Sequence, residues 1–473
     1  MFACLSLLLV TATACKKSAA PTPNATSQTN QAKPNLSAEE LKQQRLAWNM
    51  KTLVEPYEHG GYTNFKWGAS AKLALIEFAR SRANVLETNE SWALIIVTNA
   101  TATVQAGCKD PMVTYLYIKF AMDQTNSKEA FTKAFMAMAD AMNGSSYPPV
   151  RKFYASLRAE QQYTYANGYG SNVDFTKPRQ LIMDARENLV TSLNDKTMPP
   201  EEVYEACSEL LYQWPGDMTS LKNCWGQIEK PLFANWPDES ISWLLKGEAY
   251  NIMASIARGN GYANTVTKEG WKGFSENLAV AEKSLNHAWE LNPKDPRIAV
   301  TMIWIENDQG QSRDQMELWF NRAMENNTND YEACQAKLNY IEPKWHGSTE
   351  AMLEFGRECA TNQAWGGHVP LILLDAHKSI QRQYVDGLEK TNYWKQPEVW
   401  TDLKSAFDRF FELNPDARGW YHDYAWYAYQ AGQWDALNEI IPKLGPINYS
   451  FFGGTNEFDK MVRLAKEHSG QPK

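Results

Sequence analysis

Apolar residues recur along the chain in steps of three and four, most cleanly between Leu278 and Tyr340. There Ala281, Leu285, Ala288 and Trp289 lead into Glu290-Leu291-Asn292-Pro293-Lys294-Asp295. One repeat later, Met316, Phe320, Ala323 and Met324 lead into Glu325-Asn326-Asn327-Thr328-Asn329-Asp330. Such steps give a helix one apolar stripe, and the Asn-Pro-x-Asp tail stops it. A helical hairpin with one apolar face cannot bury that face alone and must stack on neighbours. The pattern predicts an all-α chain built as an α-solenoid.

The same reading extends in both directions. Ser37-Ala38-Glu39-Glu40 is a capping box opening a helix to about Leu53. Gly60-Gly61 breaks the chain, and Lys72, Leu73, Leu75, Ile76 and Phe78 resume helical spacing. Trp92 to Val104 fits a helix or a strand, because its Thr and Val content blurs the period. In Gly107-Cys108-Lys109-Asp110-Pro111, Asp110 reads as an N-cap and Pro111 as the first helical residue. Helices follow at about 112–123, 127–142 and 148–165, then a Tyr/Gly/Asn loop from Tyr163 to Gly170 and a helix from Pro178 to Leu193. Further helices are predicted from Pro200 to Trp214, Met218 to Glu229 and Ser240 to Arg258. A third copy of the tail, Phe407, Phe410 and Glu412-Leu413-Asn414-Pro415-Asp416, follows hairpins at about 348–361 and 368–384. Trp420–Tyr429 and Trp434–Leu444 form a last hairpin turned at Ala431-Gly432-Gln433.

The spacing of the copies is about that of a tetratricopeptide repeat, ~34 residues. The N-terminus carries a different signal. Leu5 to Val10 is an apolar core too short to span a bilayer, followed by Thr11-Ala12-Thr13-Ala14-Cys15. This resembles the signal sequence of a bacterial lipoprotein, and the resemblance implies cleavage before Cys15 and lipidation of that residue. An ordinary secretory signal is the alternative. Lys16 to Leu36 is rich in Ala, Pro, Thr, Asn, Ser and Gln and reads as a flexible tether. The expected organisation is therefore a signal peptide at 1–14, a tether at 15–36, an N-terminal helical region at 37–198 and a repeat region at 199–473.

Composition narrows the function. Hydrophobic residues at 44% and charged residues at 22% are those of a folded soluble protein. A net charge of -8, with no basic run longer than Lys16-Lys17, argues against nucleic acid as a partner. Eighteen Trp, with 22 Tyr and 18 Phe, either fill gaps between paired helices or supply stacking platforms on a concave face.

Cys207 and Cys224 lie symmetrically about the Pro215-Gly216 turn, and Cys334 and Cys359 about His346-Gly347. In an antiparallel helix pair, residues equidistant from a turn face each other, as a disulfide requires. Two disulfides are expected in an exported protein, with buried thiols packing as small hydrophobes the alternative. Cys108 precedes a helix start and is expected to be buried there.

Catalytic and cofactor motifs are absent: no H-E-x-x-H, C-x-x-C, P-loop or G-x-S-x-G. Asn264 stands where a dinucleotide fingerprint beginning at Gly259 would need its third Gly. His368 and His377 fall on opposite faces of one helix and do not make a metal site. No cofactor, no metal and no enzymatic activity is expected. Trp345-His346-Gly347 and Trp365-Gly366-Gly367-His368 place Trp and His at glycine turns along the edge of a solenoid. Trp345, His346, Trp365 and His368 are therefore the candidate binding edge, with turn packing the plainer alternative.

Trp243 to Ile380, with Gly259-Asn260-Gly261-Tyr262-Ala263-Asn264 and Pro343-Lys344-Trp345, resembles a family of bacterial proteins catalogued only as a domain of unknown function. Gly107 to Pro111 and Tyr147-Pro148-Pro149-Val150-Arg151-Lys152 resemble further marks of that family. The resemblance implies a tetratricopeptide-like fold and export, and brings no catalytic residues. The expected function is a lipid-anchored scaffold binding a protein or peptide at the bacterial cell envelope. The alternative is an enzyme processing peptidoglycan or another envelope polymer, which would need a carboxylate pair across an aromatic-lined cleft.

Overall fold

The computed structural model describes residues 37–62, 65–85, 92–122, 127–168, 174–213 and 217–469. The signal peptide, Cys15 and its tether lie outside the described residues, as does the turn at 214–216. Every regular element among the described residues is a helix.

The chain enters at Ser37, whose hydroxyl accepts from the Glu40 backbone at 3.2 Å while its own N–H donates to the Glu40 carboxylate at 2.7 Å. Helix α1 (Ala38–Asn49) runs through a π-helical stretch, Met50–Val54, into α2 (Glu55–His59). Next come α3 (Gly68–Arg82), α4 (Trp92–Gln105) and α5 (Pro111–Leu116), the last continued by a second π-helical stretch, Tyr117–Ala121. Asp110 caps α5 by accepting from Met112 and Val113 at 2.9 and 3.0 Å, with Pro111 at the first helical position as expected. Helices α6 (Lys128–Asn143), α7 (Pro149–Asn167) and α8 (Thr176–Ser192) complete this region. They bury Tyr57, Leu75, Ile96, Leu116, Met138 and Met142 in one core. Trp92–Gln105 is a helix because Ile96, Ala100 and Thr103 align on one buried face.

Helices α9 (Pro200–Gln213), α10 (Met218–Asn235) and α11 (Ser240–Arg258) build a second core with α7 and α8. Phe153, Leu189, Cys207, Leu210, Trp225 and Leu245 lie in it, and α1 contributes Trp48. The position 198–199 thus falls inside one packed cluster, since residues from both sides of it share the core.

The repeat copies are α12 (Lys268–Leu291), α13 (Pro296–Gln309), α14 (Arg313–Asn326) and α15 (Tyr331–Tyr340). Beyond them lie α16 (Thr349–Thr361), α17 (Ile372–Gln383), α18 (Gly387–Asn392), α19 (Pro397–Leu413), α20 (Tyr421–Gln430), α21 (Trp434–Ile440) and α22 (Thr455–His468). The Asn-x-x-Asp tails act as read: Asn292 and Asn327 end their helices, while Asp295 and Asp330 cap the next. Leu285, Ile303, Phe320, Phe355, Phe407 and Phe410 form a continuous core along this half. Each buried side chain of that size contributes about 2 kcal/mol by transfer from water. Helices pack on the next in sequence and the next but one, as α13 does on α14 and α15. This is stacking in one dimension, the expected α-solenoid.

Candidate functional site

The solenoid's turns are joined to one another along one edge. Asn326 Nδ2 donates to the Pro293 carbonyl at 3.1 Å, tying the second repeat tail to the first. The Gly366 N–H donates to the Thr328 carbonyl at 3.3 Å, and Asn414 Nδ2 donates to the Gly367 carbonyl at 2.8 Å. Trp365 and His368 belong to this row. Trp365 packs edge-on against Phe320 at 5.8 Å, and exposed His368 sits 5.2 Å from Phe410 and 5.6 Å from Trp420. The backbone constrains Gly367, and a side chain on Gly366 would displace the Asn329 amide. A Cβ on Gly366 would lie 2.5 Å from Asn329 Oδ1, and Gly367 has a φ of +58°.

Trp345 and His346 lie at the other end of α16. That helix has 13 residues, so at 1.5 Å each the two turns stand about 20 Å apart. His346 is exposed and stacks on Tyr340 at 4.4 Å, while Trp345 is 40% exposed with Lys344 alongside. The four sequence-predicted residues therefore occupy opposite edges of the solenoid, one pair on each.

A larger concavity lies where α11 meets α12, a groove of about 920 Å³. Trp243 and His287 meet edge-on at 4.4 Å within it. Lys246, Lys283, Glu282 and Glu290 line it with both signs of charge. Lys246 is anchored to Glu229 at 2.8 Å, and His287 pairs with Glu290 at 3.1 Å. The close approach of the two helices below it depends on Gly247, where a Cβ would meet Leu285 Cγ at 2.5 Å.

The disulfide expectation is corrected. Cys207, Cys224, Cys334 and Cys359 are free thiols, all fully buried. The turn symmetry does bring partners together: Cys359 and Cys334 interact directly, and Cys224 lies close enough to act on Cys207. Burial is what disfavours oxidation, because it pushes the Cys224 thiol up to about 12 and raises Cys207 and Cys359 as well. A disulfide forms by thiolate attack, and burial suppresses the thiolate at Cys207, Cys224 and Cys359. Cys108 is buried beside the α5 cap and pushed up to about 11, chiefly by burial.

His377 faces the core, away from His368. Its Nδ1 lies 2.8 Å from the Tyr393 hydroxyl and its Nε2 3.1 Å from Asp402, which Arg357 grips through two nitrogens. Among the described residues no group of three or more His, Cys, Asp or Glu is arranged to hold a metal ion. None of the described helices is long and apolar enough to cross a membrane.

One cluster was missed from sequence. Glu202, Glu205 and Glu209 form an acidic stripe on α9, and arginines from α1, α3 and α7 converge on it. Arg45 donates to Glu202 at 2.7 Å and to Glu205 at 2.5 Å, Arg82 donates to Glu205, and Arg158 pairs with Glu209 at 2.6 Å. Burial alone would raise the Glu202 carboxyl, but the charges of Arg82, Arg151 and Arg45 hold it below its ordinary value. The three-then-four spacing of the glutamates was the available signal, since a partly buried acidic stripe needs basic partners.

No protein-family model matches the chain, and no curated protein matches it. The resemblance to an uncharacterised exported family therefore gains no support from these comparisons. Among solved structures the chain is similar to a monomeric mutant of IFIT1 with Gppp-AAAA, at 9% sequence identity. The match covers 92% of this chain and 96% of that one with a TM-score of 0.26. A superposition that loose carries no argument about fold or function.

Proposed function

We propose that the protein is a helical-repeat scaffold, lipid-anchored through Cys15 at the bacterial cell envelope, that binds a protein or peptide partner. The observation that carries the binding reading is the groove between α11 and α12. It is large enough for an extended peptide, carries both charges, and has an aromatic pair at its base. The address rests on the sequence before Ser37.

The alternative, an envelope-polymer enzyme, has no specific observation in its favour. Glu282 and Glu290 share the groove, but eight residues of helix set them about 12 Å apart along the axis. Paired glycosidase carboxylates stand roughly 5–10 Å apart.

Two experiments test the proposal. Metabolic labelling with a palmitate analogue should mark the wild-type chain and not Cys15→Ala; equal labelling of both removes the anchor. A photo-crosslinking residue at position 283 should trap a discrete protein adduct in cells, and adding Trp243→Ala with Lys246→Glu should abolish it. An adduct unchanged by those substitutions moves the partner off the groove.

A further inference from the structure

A second cavity, of about 30 Å³, lies in the N-terminal half, far in sequence from the groove. Its polar lining is cationic: Arg82, Arg151, Arg158 and Lys119. Its apolar lining includes Phe78, Met112 and Met142.

The charges do not cancel. Glu202, Glu205 and Glu209 are shared among Arg45, Arg82 and Arg158. Among the described residues Lys119 makes no ion pair and lies 5.1 Å from the Phe120 ring centroid. Arg151 is 4% exposed and has no carboxylate at ion-pair distance. One of its terminal nitrogens donates to Asn49 at 2.5 Å and Thr52 at 2.7 Å, while its buried Nε has no acceptor. Tyr154 also lines the cavity, and its hydroxyl is buried without a hydrogen-bond partner. Two buried donors without acceptors thus belong to residues of one cationic recess.

Burial lowers the Arg151 guanidinium to about 10, and Arg82 adds to this against the opposing pull of Glu202. A bound negative charge would relieve that penalty. The backbone points to the same place. Of the two π-helical stretches among the described residues, Tyr117–Ala121 supplies Lys119 to the lining and Met50–Val54 supplies Thr52 as an acceptor for Arg151. Such insertions cost helix geometry and occur frequently at functional sites.

We propose that this cavity binds a small organic carboxylate. Its carboxylate accepts from Arg151 Nε and the Tyr154 hydroxyl within reach of Lys119 and Arg158, and a body no larger than a methyl group faces Met112, Met142 and Phe78. The site is independent of the peptide groove. A volume of about 30 Å³ holds one or two waters or a compact head group. Two of the four cations, Arg82 and Arg158, are already committed to glutamates, which leaves Arg151 and Lys119 to face the ligand's negative charge.

Isothermal titration calorimetry of the purified chain with acetate, butyrate, benzoate and inorganic phosphate, at constant chloride, tests this. Saturable one-to-one binding of acetate is expected, with butyrate and benzoate at least tenfold weaker because a cavity of about 30 Å³ has no room for their bodies. Lys119→Gln, at an exposed position, should weaken that binding by about tenfold without lowering the melting temperature appreciably, and Arg158→Gln should weaken it as much while its melting temperature falls because Glu209 loses its partner. Arg151→Gln should abolish it, and its melting curve shows whether the fold survives. Trp243→Ala should leave carboxylate binding unchanged, which separates this site from the groove. Heats of dilution alone for every probe, or binding unaltered by Lys119→Gln and Arg158→Gln, would overturn the proposal and leave a water-filled structural cavity. Phosphate binding tighter than any carboxylate would overturn the ligand class.

Discussion

The Asn414 side-chain amide donates to the Gly367 carbonyl at 2.8 Å, linking the third repeat tail to the turn that carries Trp365 and His368. The same amide also donates to its own helix at Phe410, 2.9 Å away. One side chain thus ends a helix and registers the next layer of the solenoid.

Asn414→Ala should therefore cost about 1 kcal/mol, the net value of a half-buried hydrogen bond with its acceptor left unpaired. Urea denaturation measures the loss. Hydrogen exchange at residues 366–368 should accelerate together with it, because the turn loses its tie to α19. A stability loss with unchanged exchange there would mean that Asn414 acts only as a helix end.

The solenoid was legible because its signals are local. The Ser37 box, the Asp110-Pro111 start and the Asn-x-x-Asp tails each complete their hydrogen bonds within a few residues. One local reading failed: the Tyr/Gly/Asn stretch predicted as a loop from Tyr163 remains helical to Asn167, where Gly168 ends it with a φ of +70°. The cationic cavity was not legible for the opposite reason. Its arginines come from α3 and α7, and two of them meet glutamates on α9, so each reads in sequence as ordinary helix-surface charge. Nor does any period mark the π-helical stretches that supply Lys119 to its lining and Thr52 to Arg151. The candidate edge divided because turns at the two ends of one helix look alike in sequence, yet lie on opposite sides of the stack.

Glycine substitutions separate close approach from mere flexibility. A Cβ on Gly347 would fall 2.1 Å from the Ile341 carbonyl oxygen, a backbone atom with nowhere to go. Gly347→Ala should destabilise by roughly 2–4 kcal/mol as the turn is forced open. Gly226 is the contrast: it lies within α10 with open space around its Cβ position. Gly226→Ala should stabilise by about 0.5–1 kcal/mol through helix propensity and the unfolded chain. Thermal unfolding of the two variants should move in opposite directions.

The buried thiols give a kinetic prediction. With Cys207, Cys224, Cys334 and Cys359 sealed in the cores and Cys108 beside its cap, iodoacetamide at about pH 8 should modify none of them in the native chain. All should react once the chain is unfolded in urea. Mass spectrometry of the five peptides reads this directly. Rapid native labelling at Cys334 or Cys359 would show that the α15–α16 hairpin opens on its own.

Glu248 provides the pH dependence. It is 3% exposed on α11, accepts from the Tyr204 hydroxyl at 2.8 Å through Oε1, and has no partner for Oε2. Burial pushes its carboxyl from 4.5 up to about 7; the Tyr204 hydrogen bond and Arg297 oppose the shift, while Asp295 and Glu332 add to it. The folded state therefore holds this proton more tightly than the unfolded chain. Its contribution is fully present below about pH 4.5 and is lost as pH rises through about 7, a change of order 3 kcal/mol. Glu248→Gln keeps a neutral side chain at every pH and should remove that slope. Urea midpoints measured from about pH 5 to about pH 8.5 should fall for the wild type and stay nearly level for the variant, whose advantage grows above neutrality. Parallel curves would assign the pH dependence to other groups.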